Sequence, residues 1–253
     1  MGNRLSNRQI QLKKNFTEIN RYWHDVWDEL LVLDEEFFEI LSNFTFVPWK
    51  TGVLEPKIKE LINVAISASP THLSAPATRI HIQNALRFGA TSEEILEVFK
   101  VVSVLGMHTC AVGVPLMAEE FELEALFKDA HLTDQQKQSK TDFIEQMGYW
   151  NGFRDVLLQM DEKFFESYTD LLTAPLKSGV LEPKIIEFIY IAIDASTTHL
   201  FRKGIQVHLK NARKYGATSE EILEVFQLTS SLGFDTLLMG IPILIEEMIK
   251  RSR

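Results

Sequence analysis

The chain repeats itself. Gly52-Val53-Leu54-Glu55-Pro56-Lys57 recurs as Gly179-Val180-Leu181-Glu182-Pro183-Lys184, and the run Gly89–Phe99 recurs unchanged as Gly216–Phe226. Both pairs lie 127 residues apart. The same offset, without a gap, maps Tyr22-Trp23 onto Tyr149-Trp150, Phe37-Phe38 onto Phe164-Phe165 and Glu119-Glu120 onto Glu246-Glu247. The register reaches back to Leu5-Ser6 and Leu132-Thr133, so the 253 residues are expected to divide into units 1–126 and 127–253. Internal repetition of this kind decides the architecture before any local reading does. A tandem duplication can pack its two units about a pseudo-twofold axis, as the subunits of a homodimer do.

Each unit reads as helices. Ser6-x-x-Gln9, Thr133-x-x-Gln136, Thr91-x-x-Glu94 and Thr218-x-x-Glu221 are capping boxes. Asp34 and Asp161 are caps for a helix carrying the Phe-Phe pair. Pro56 and Pro183 suit a first helical position, where a missing N–H costs nothing. Ile58, Leu61, Ile62, Ala65 and Ile66 then form an i, i+3, i+4, i+7, i+8 stripe. Gly89 and Gly216 suit helix C-termini. The apolar run Leu105–Met117 is expected to be a buried helix, kinked or interrupted near Pro115. Nothing alternates with period two over a useful length. The expected class is all-α, a tandem pair of helical domains.

Composition narrows the function classes. With 26 Lys+Arg against 35 Asp+Glu the formal charge is −9, which disfavours a nucleic-acid partner. The single cysteine, Cys110, excludes an intramolecular disulfide and a CxxC centre, and fits a reducing compartment. The uncharged run Val101–Ala118 approaches membrane-spanning length but holds His108 and Pro115, and the matching run carries Asp235, so no membrane is expected. Met1-Gly2-Asn3-Arg4-Leu5-Ser6 lacks the apolar stretch of a signal peptide. It fits a loose myristoylation pattern, but Ser6 already serves as a cap. A cytoplasmic protein is the expectation.

The duplication also filters candidate chemistry. Of seven histidines, His24, His108 and His131 face Asn151, Asp235 and Arg4 in the other copy. His72 matches His199 and His81 matches His208. Thr71-His72 and Thr198-His199 stand at the entry of the helix that carries His81 or His208. Glu60 and Glu187, on the preceding helix near the edge of its apolar stripe, could enter a cleft and tune that histidine as an acid or base. His81, His208, Glu60 and Glu187 are therefore the catalytic candidates, with His72, His199, Thr71 and Thr198 as substrate-binding ones. No metal is expected, because no H-x-x-x-H or H-E-x-x-H spacing occurs. Cys110 faces Leu237 and reads as a buried small residue rather than a nucleophile.

The block from Glu60 through His81-Ile82-Gln83-Asn84-Ala85-Leu86-Arg87-Phe88-Gly89-Ala90-Thr91-Ser92-Glu93-Glu94-Ile95-Leu96-Glu97-Val98, repeated from Glu187 through His208 to Val225, resembles the carboxymuconolactone decarboxylase family. The resemblance implies an all-α, alkyl hydroperoxidase D-like fold. It also implies rings of six domains, hence a homotrimer of a two-copy chain. One branch of that family uses C-x-x-C-x-x-x-H for thiol peroxidase chemistry. Here Ser74 and Ala77, and Phe201 and Gly204, occupy the cysteine positions, so that nucleophile is missing from both copies. The other branch needs no cofactor, and none is expected here. The family histidine falls on His81 and His208 and the family glutamate on Glu60 and Glu187. The Glu-to-His spacing is 21, which the resemblance makes longer than in the redox branch by about two residues, near Thr-His-Leu. Arg79 could hold an anionic substrate in copy one, where copy two has Gln206, while Lys203 faces Pro76. The two pockets should therefore differ. The resulting expectation is a cofactor-independent lyase or proton-transfer enzyme on a small carboxylated ring or lactone. A non-catalytic small-molecule-binding or assembly module is the alternative, and a peroxidase through another group ranks behind both.

Overall fold

The computed structural model describes residues 5–127 and 132–251. The loose myristoylation pattern lies in part, and the His131/Arg4 mismatch wholly, outside them. Copy one comprises α1 (Asn7–Asn20), α2 (Val26–Leu33), α3 (Glu35–Thr45), α4 (Val47–Thr51), α5 (Pro56–Ala68), α6 (Ala75–Arg87), α7 (Ser92–Ser103) and α8 (His108–Glu120). Copy two comprises α9 (Asp134–Met147), α10 (Phe153–Met160), α11 (Glu162–Ser178), α12 (Pro183–Ala195), α13 (Arg202–Lys214), α14 (Ser219–Ser230) and α15 (Asp235–Arg251). A 3₁₀ turn precedes α8 at Val104–Met107 and α15 at Ser231–Phe234. No strand occurs among the described residues. All four capping boxes form with both of their hydrogen bonds. Asp34 and Asp161 accept from the N–H groups of Phe37 and Phe164. The 127-residue register therefore holds helix by helix, except that α11 is continuous where copy one breaks into α3 and α4.

The two copies share one core. Helices α5 and α12 pack against each other, and each also touches both α7 and α14. Every residue of α5 from Lys59 to Ser67 is buried, and so is every residue of α12 from Ile185 to Asp194. Each Leu or Ile removed fully from water in this way contributes roughly 1.5–3 kcal/mol. Thr198 Oγ1 donates to Thr71 Oγ1 at 3.2 Å, and contact between equivalent residues marks the pseudo-twofold axis. The last helix of each copy crosses to the other: α8 lies on α10, and α15 lies on α2. A second apolar cluster around Phe16, Trp27 and Phe38 accordingly includes Leu238 and Ile241 from α15. Trp23 and Trp150, both half-buried, pack edge-on against Phe16 and Phe143.

One expectation is corrected. Neither α8 nor α15 is a buried core helix. Both continue past Pro115 and Pro242, and the interruption of each helical run comes earlier, at the 3₁₀ turn. Among α8 residues only Ala118 is buried, while Val112, Leu116, Met239 and Ile243 are exposed. The helical stretches Ser92–Glu120 and Ser219–Arg251 are long and apolar enough to cross a bilayer by length and composition alone. Hydropathy registered the apolar character but carries no information on what an apolar face is packed against. Cys110, on α8, is half-buried.

A buried charge pair stitches the copies together. Lys59 Nζ lies 3.0 Å from Glu224 Oε1, with both side chains 2% exposed. Glu224 also accepts from the Leu54 N–H at 2.5 Å and from the Thr51 hydroxyl. At the symmetric place Glu97 accepts from Ser178 Oγ, but Ile186 replaces the lysine and the cation is Lys100, which reaches solvent. Removing one member of a fully buried pair strands the other and costs about 3–5 kcal/mol. Glu224→Ala is therefore expected to lose that much in urea unfolding, and Glu97→Ala clearly less, because freed Lys100 can hydrate.

Candidate functional site

Glu60 lies on α5, and His81 and Asn84 lie three residues apart on one face of α6. Glu60 Oε2 is 2.7 Å from His81 Nδ1, and Glu60 Oε1 accepts from Asn84 Nδ2 at 3.0 Å. Copy two repeats the arrangement, with Glu187 Oε2 at 2.6 Å from His208 Nδ1 and Asn211 Nδ2 at 3.1 Å from Glu187 Oε1. Glu60 and Glu187 are buried, not solvated. A carboxylate at Nδ1 requires the proton on that nitrogen, which leaves Nε2 free to take or give a proton. The structure thus brings the four acid–base candidates together as two separate pairs, one in each copy.

The two surroundings differ. The cavity at His208 has a volume of about 360 Å³, while the one at His81 holds only about 80 Å³. The first falls in the range of small-molecule sites. Trp27, Leu41 and Leu238 line the small cavity, where copy two places Arg154, Tyr168 and Ala111 around the large one.

Arg154 is the most informative of these exchanges. It is 3% exposed, and no carboxylate among the described residues stands within ion-pair distance. Its guanidinium donates to Tyr168 Oη at 2.6 Å and more weakly to Tyr149 Oη at 3.4 Å. The rings of Phe153, Phe143 and Tyr149 surround it at 4.5, 4.6 and 5.0 Å. Its Nε has no hydrogen-bond partner. A buried cation held by neutral groups has the chemistry to receive an anion. Lys203 lines the same cavity.

Each site is completed by the other copy. His108, at the start of α8, stands 2.7 Å through Nδ1 from His199 Nε2, and its ring lies 4.0 Å from that of Phe201. The equivalent contact in copy one is His72 Nε2 to Asp235 Oδ2 at 2.6 Å. Leu73 and Leu200, next to these histidines, adopt φ of 53° and 50°, a left-handed conformation costly for a bulky residue. That turn carries His72 and His199 across to the closing helix of the other copy. Tyr190 stacks on His208 at 4.4 Å. Burial pushes the Asp194 carboxyl up to about 7, against the pull of His208. Burial, with the neighbouring His199, His208 and Arg154, holds His108 down at about 3, and burial lowers His199. Both imidazoles are therefore neutral at neutral pH. Burial also raises Tyr149, Tyr168 and Tyr190, so their phenols stay protonated.

Three sequence expectations change. Thr71 and Thr198 bond each other on the axis and line neither cavity. Arg79 lines clefts beside Gln83 and not the His81 cavity, where Ile80 and Ala77 stand instead. His72 and His199 bond Asp235 and His108 and line neither cavity themselves. Conversely, matching the two copies does not single out Arg154, Tyr190, Asp194 and His108, since their partners Trp27, Asn63, Ser67 and Asp235 differ in type.

Asp194 depends on a glycine. A Cβ at Gly204 would stand 1.9 Å from Asp194 Oδ2 and 2.7 Å from Phe201 Cδ1. Copy one, with Ser67 for the aspartate, has Ala77 at the glycine position. Gly204→Ala should destabilise by about 1–3 kcal/mol through overpacking. Adding Asp194→Ser should restore most of it, so thermal unfolding of the two single and one double variant should show strong coupling.

Comparison with known proteins agrees with this architecture. The model of the carboxymuconolactone decarboxylase family matches twice, over residues 35–109 and 162–239. A crystal structure from Burkholderia xenovorans, described provisionally as a gamma-carboxymuconolactone decarboxylase subunit, is similar over 99% of this chain and 100% of that one. The two share 37% identity at a TM-score of 0.90. No curated protein matches the sequence significantly. With its helical unit present twice and matched twice, the chain belongs to the carboxymuconolactone decarboxylase family.

Proposed function

We propose that the copy-two cavity is an acid–base site for a small carboxylated ring or lactone, and that the chain works as a decarboxylase-like lyase. The observation that carries this reading is the buried, acid-free Arg154 facing the same 360 Å³ cavity as the His208–Glu187 dyad. A guanidinium stabilises the carboxylate it holds, so Arg154 anchors one that stays on the substrate. A second carboxyl group is the one that leaves. When its C–C bond breaks, carbon dioxide departs and the electron pair passes into the adjoining carbonyl as an enolate. His208, protonated at Nε2, gives the carbon its proton and is reprotonated from solvent. Glu187 fixes the ring and balances the imidazolium. Tyr149 and Tyr168, which stay protonated, position Arg154.

Copy one serves as the structural half. Its dyad is intact, but its cavity of about 80 Å³ is too small for such a substrate. The neighbour is described as a subunit, and the exposed apolar residues of α8 and α15 support assembly of this chain as well. The family resemblance makes that assembly a homotrimer, and light scattering of the eluting protein should give three chains, not one.

The site reading is tested by screening carboxylated lactones for carbon dioxide release and then comparing variants. His208→Ala should lower kcat by about 10²- to 10⁴-fold. Arg154→Met should raise KM by roughly 10- to 100-fold, the loss of a charge-assisted contact. His81→Ala should change neither by much. Full turnover by folded His208→Ala would end the assignment.

A further inference from the structure

The copy-two cavity also holds a polar cluster that the acid–base reading does not use. Asp194, on α12, is 0% exposed, and neither of its oxygens has a hydrogen-bond partner among the described residues. A buried carboxylate left unpaired is among the most unfavourable arrangements a core can hold, so it calls for a counter-charge. The groups facing it are imidazole nitrogens. His108 Nδ1 stands 3.6 Å and His199 Nε2 3.9 Å from Asp194 Oδ1. His208 Nε2 stands 3.9 Å from Asp194 Oδ2. One ligand atom each from His108, Asp194 and His199 fall together within 4.8 Å of one another.

We propose that His108, His199 and Asp194 form a site for one divalent first-row transition-metal ion per chain, of the zinc or ferrous class. Ligand atoms bonded to such an ion at about 2.0–2.2 Å stand about 3–4 Å from one another. The two carboxylate–imidazole separations already meet this, and the 2.7 Å between the two imidazole nitrogens has only to open slightly. Two imidazoles and one carboxylate suit zinc, cobalt or ferrous ions, and not the all-oxygen cages of calcium or magnesium. The proton shared between His108 Nδ1 and His199 Nε2 moves to an outward ring nitrogen, and the ion takes its place between the two lone pairs. Gly204 is what leaves room for Asp194. Copy one has no such set: Ser67 replaces the aspartate, and His72 is already paired with Asp235. One equivalent per chain is therefore expected, not two. Such an ion would supply positive charge beside His208, where a substrate oxygen could gain negative charge. Metal uptake itself does not depend on the lyase reading and is measured without substrate.

The test uses tag-free, full-length protein, stripped with a chelator and titrated with cobalt(II) alone. The expected result is one equivalent per chain with the visible absorption of low-coordinate cobalt, displaced by zinc. Asp194→Ser, which installs the residue of copy one, and His199→Gln should each abolish that equivalent. His72→Gln, at the matching place in copy one, should leave it intact. Absence of stoichiometric uptake by folded wild-type protein would overturn the site, as would uptake undiminished in either Asp194→Ser or His199→Gln. Loss of turnover in His208→Ala with cobalt uptake preserved would sustain both readings. Uptake without any turnover would sustain the metal site and remove the lyase.

Discussion

The packing of α5 against α12 about the pseudo-twofold axis is the constraint on which the rest depends. It buries two long apolar helices on nearly every side, and it sends the closing helix of each copy over the opening helices of the other. Residues far apart in the chain, such as His72 and Asp235, then meet at 2.6 Å. Removing apolar surface from water drives the arrangement. The buried Lys59–Glu224 pair adds direction more than strength, since such a pair gains little over apolar packing but is costly to break.

The two ends of this frame were put to different uses. Around His81 the space is filled by Trp27 and Leu41, which belong to the second apolar cluster about Phe16. Around His208 the same positions carry Arg154 and Tyr168, and the core gives way to a cavity. The unpartnered Arg154 Nε and the Asp194 carboxylate are both unfavourable for folding. Proteins commonly concentrate such costs where chemistry is done and recover them elsewhere. Here the filled end and the buried helix pair supply that stability.

Much of the fold was legible in local patterns. Capping boxes, Pro56 and Pro183 at helix starts and a gap-free repeat are short-range signals, and they located the helices in both copies. The Glu60–His81 and Glu187–His208 pairs followed from their recurrence. Partners reached through the fold were not legible. That His108 serves the site of copy two depends on where α8 crosses, which no spacing encodes. Requiring candidates to match in both copies also removed the residues that distinguish the copies. A signal was nonetheless present: Asp194 follows Ile191-Ala192-Ile193, and Arg154 sits among Phe153, Val156, Leu157 and Leu158. A charge on an otherwise apolar helix face is either paired or waiting for something. Hydropathy misled at α8 and α15 because exposure of an apolar face is decided by neighbours.

The shared construction of each site has a consequence for how such a chain can diverge. In a symmetric dimer of a single unit, every substitution appears twice, so both sites receive the same residues from both sides of the axis. One site could not then have histidine on the crossing helix while its twin has aspartate. Joining the two units in one polypeptide lifts that restriction. His108 and Asp235 occupy equivalent places, yet one approaches His199 and Asp194 while the other bonds His72. Covalent linkage thus did more than hold two subunits together: it broke the degeneracy between them, so that one half could specialise while the other preserved the frame.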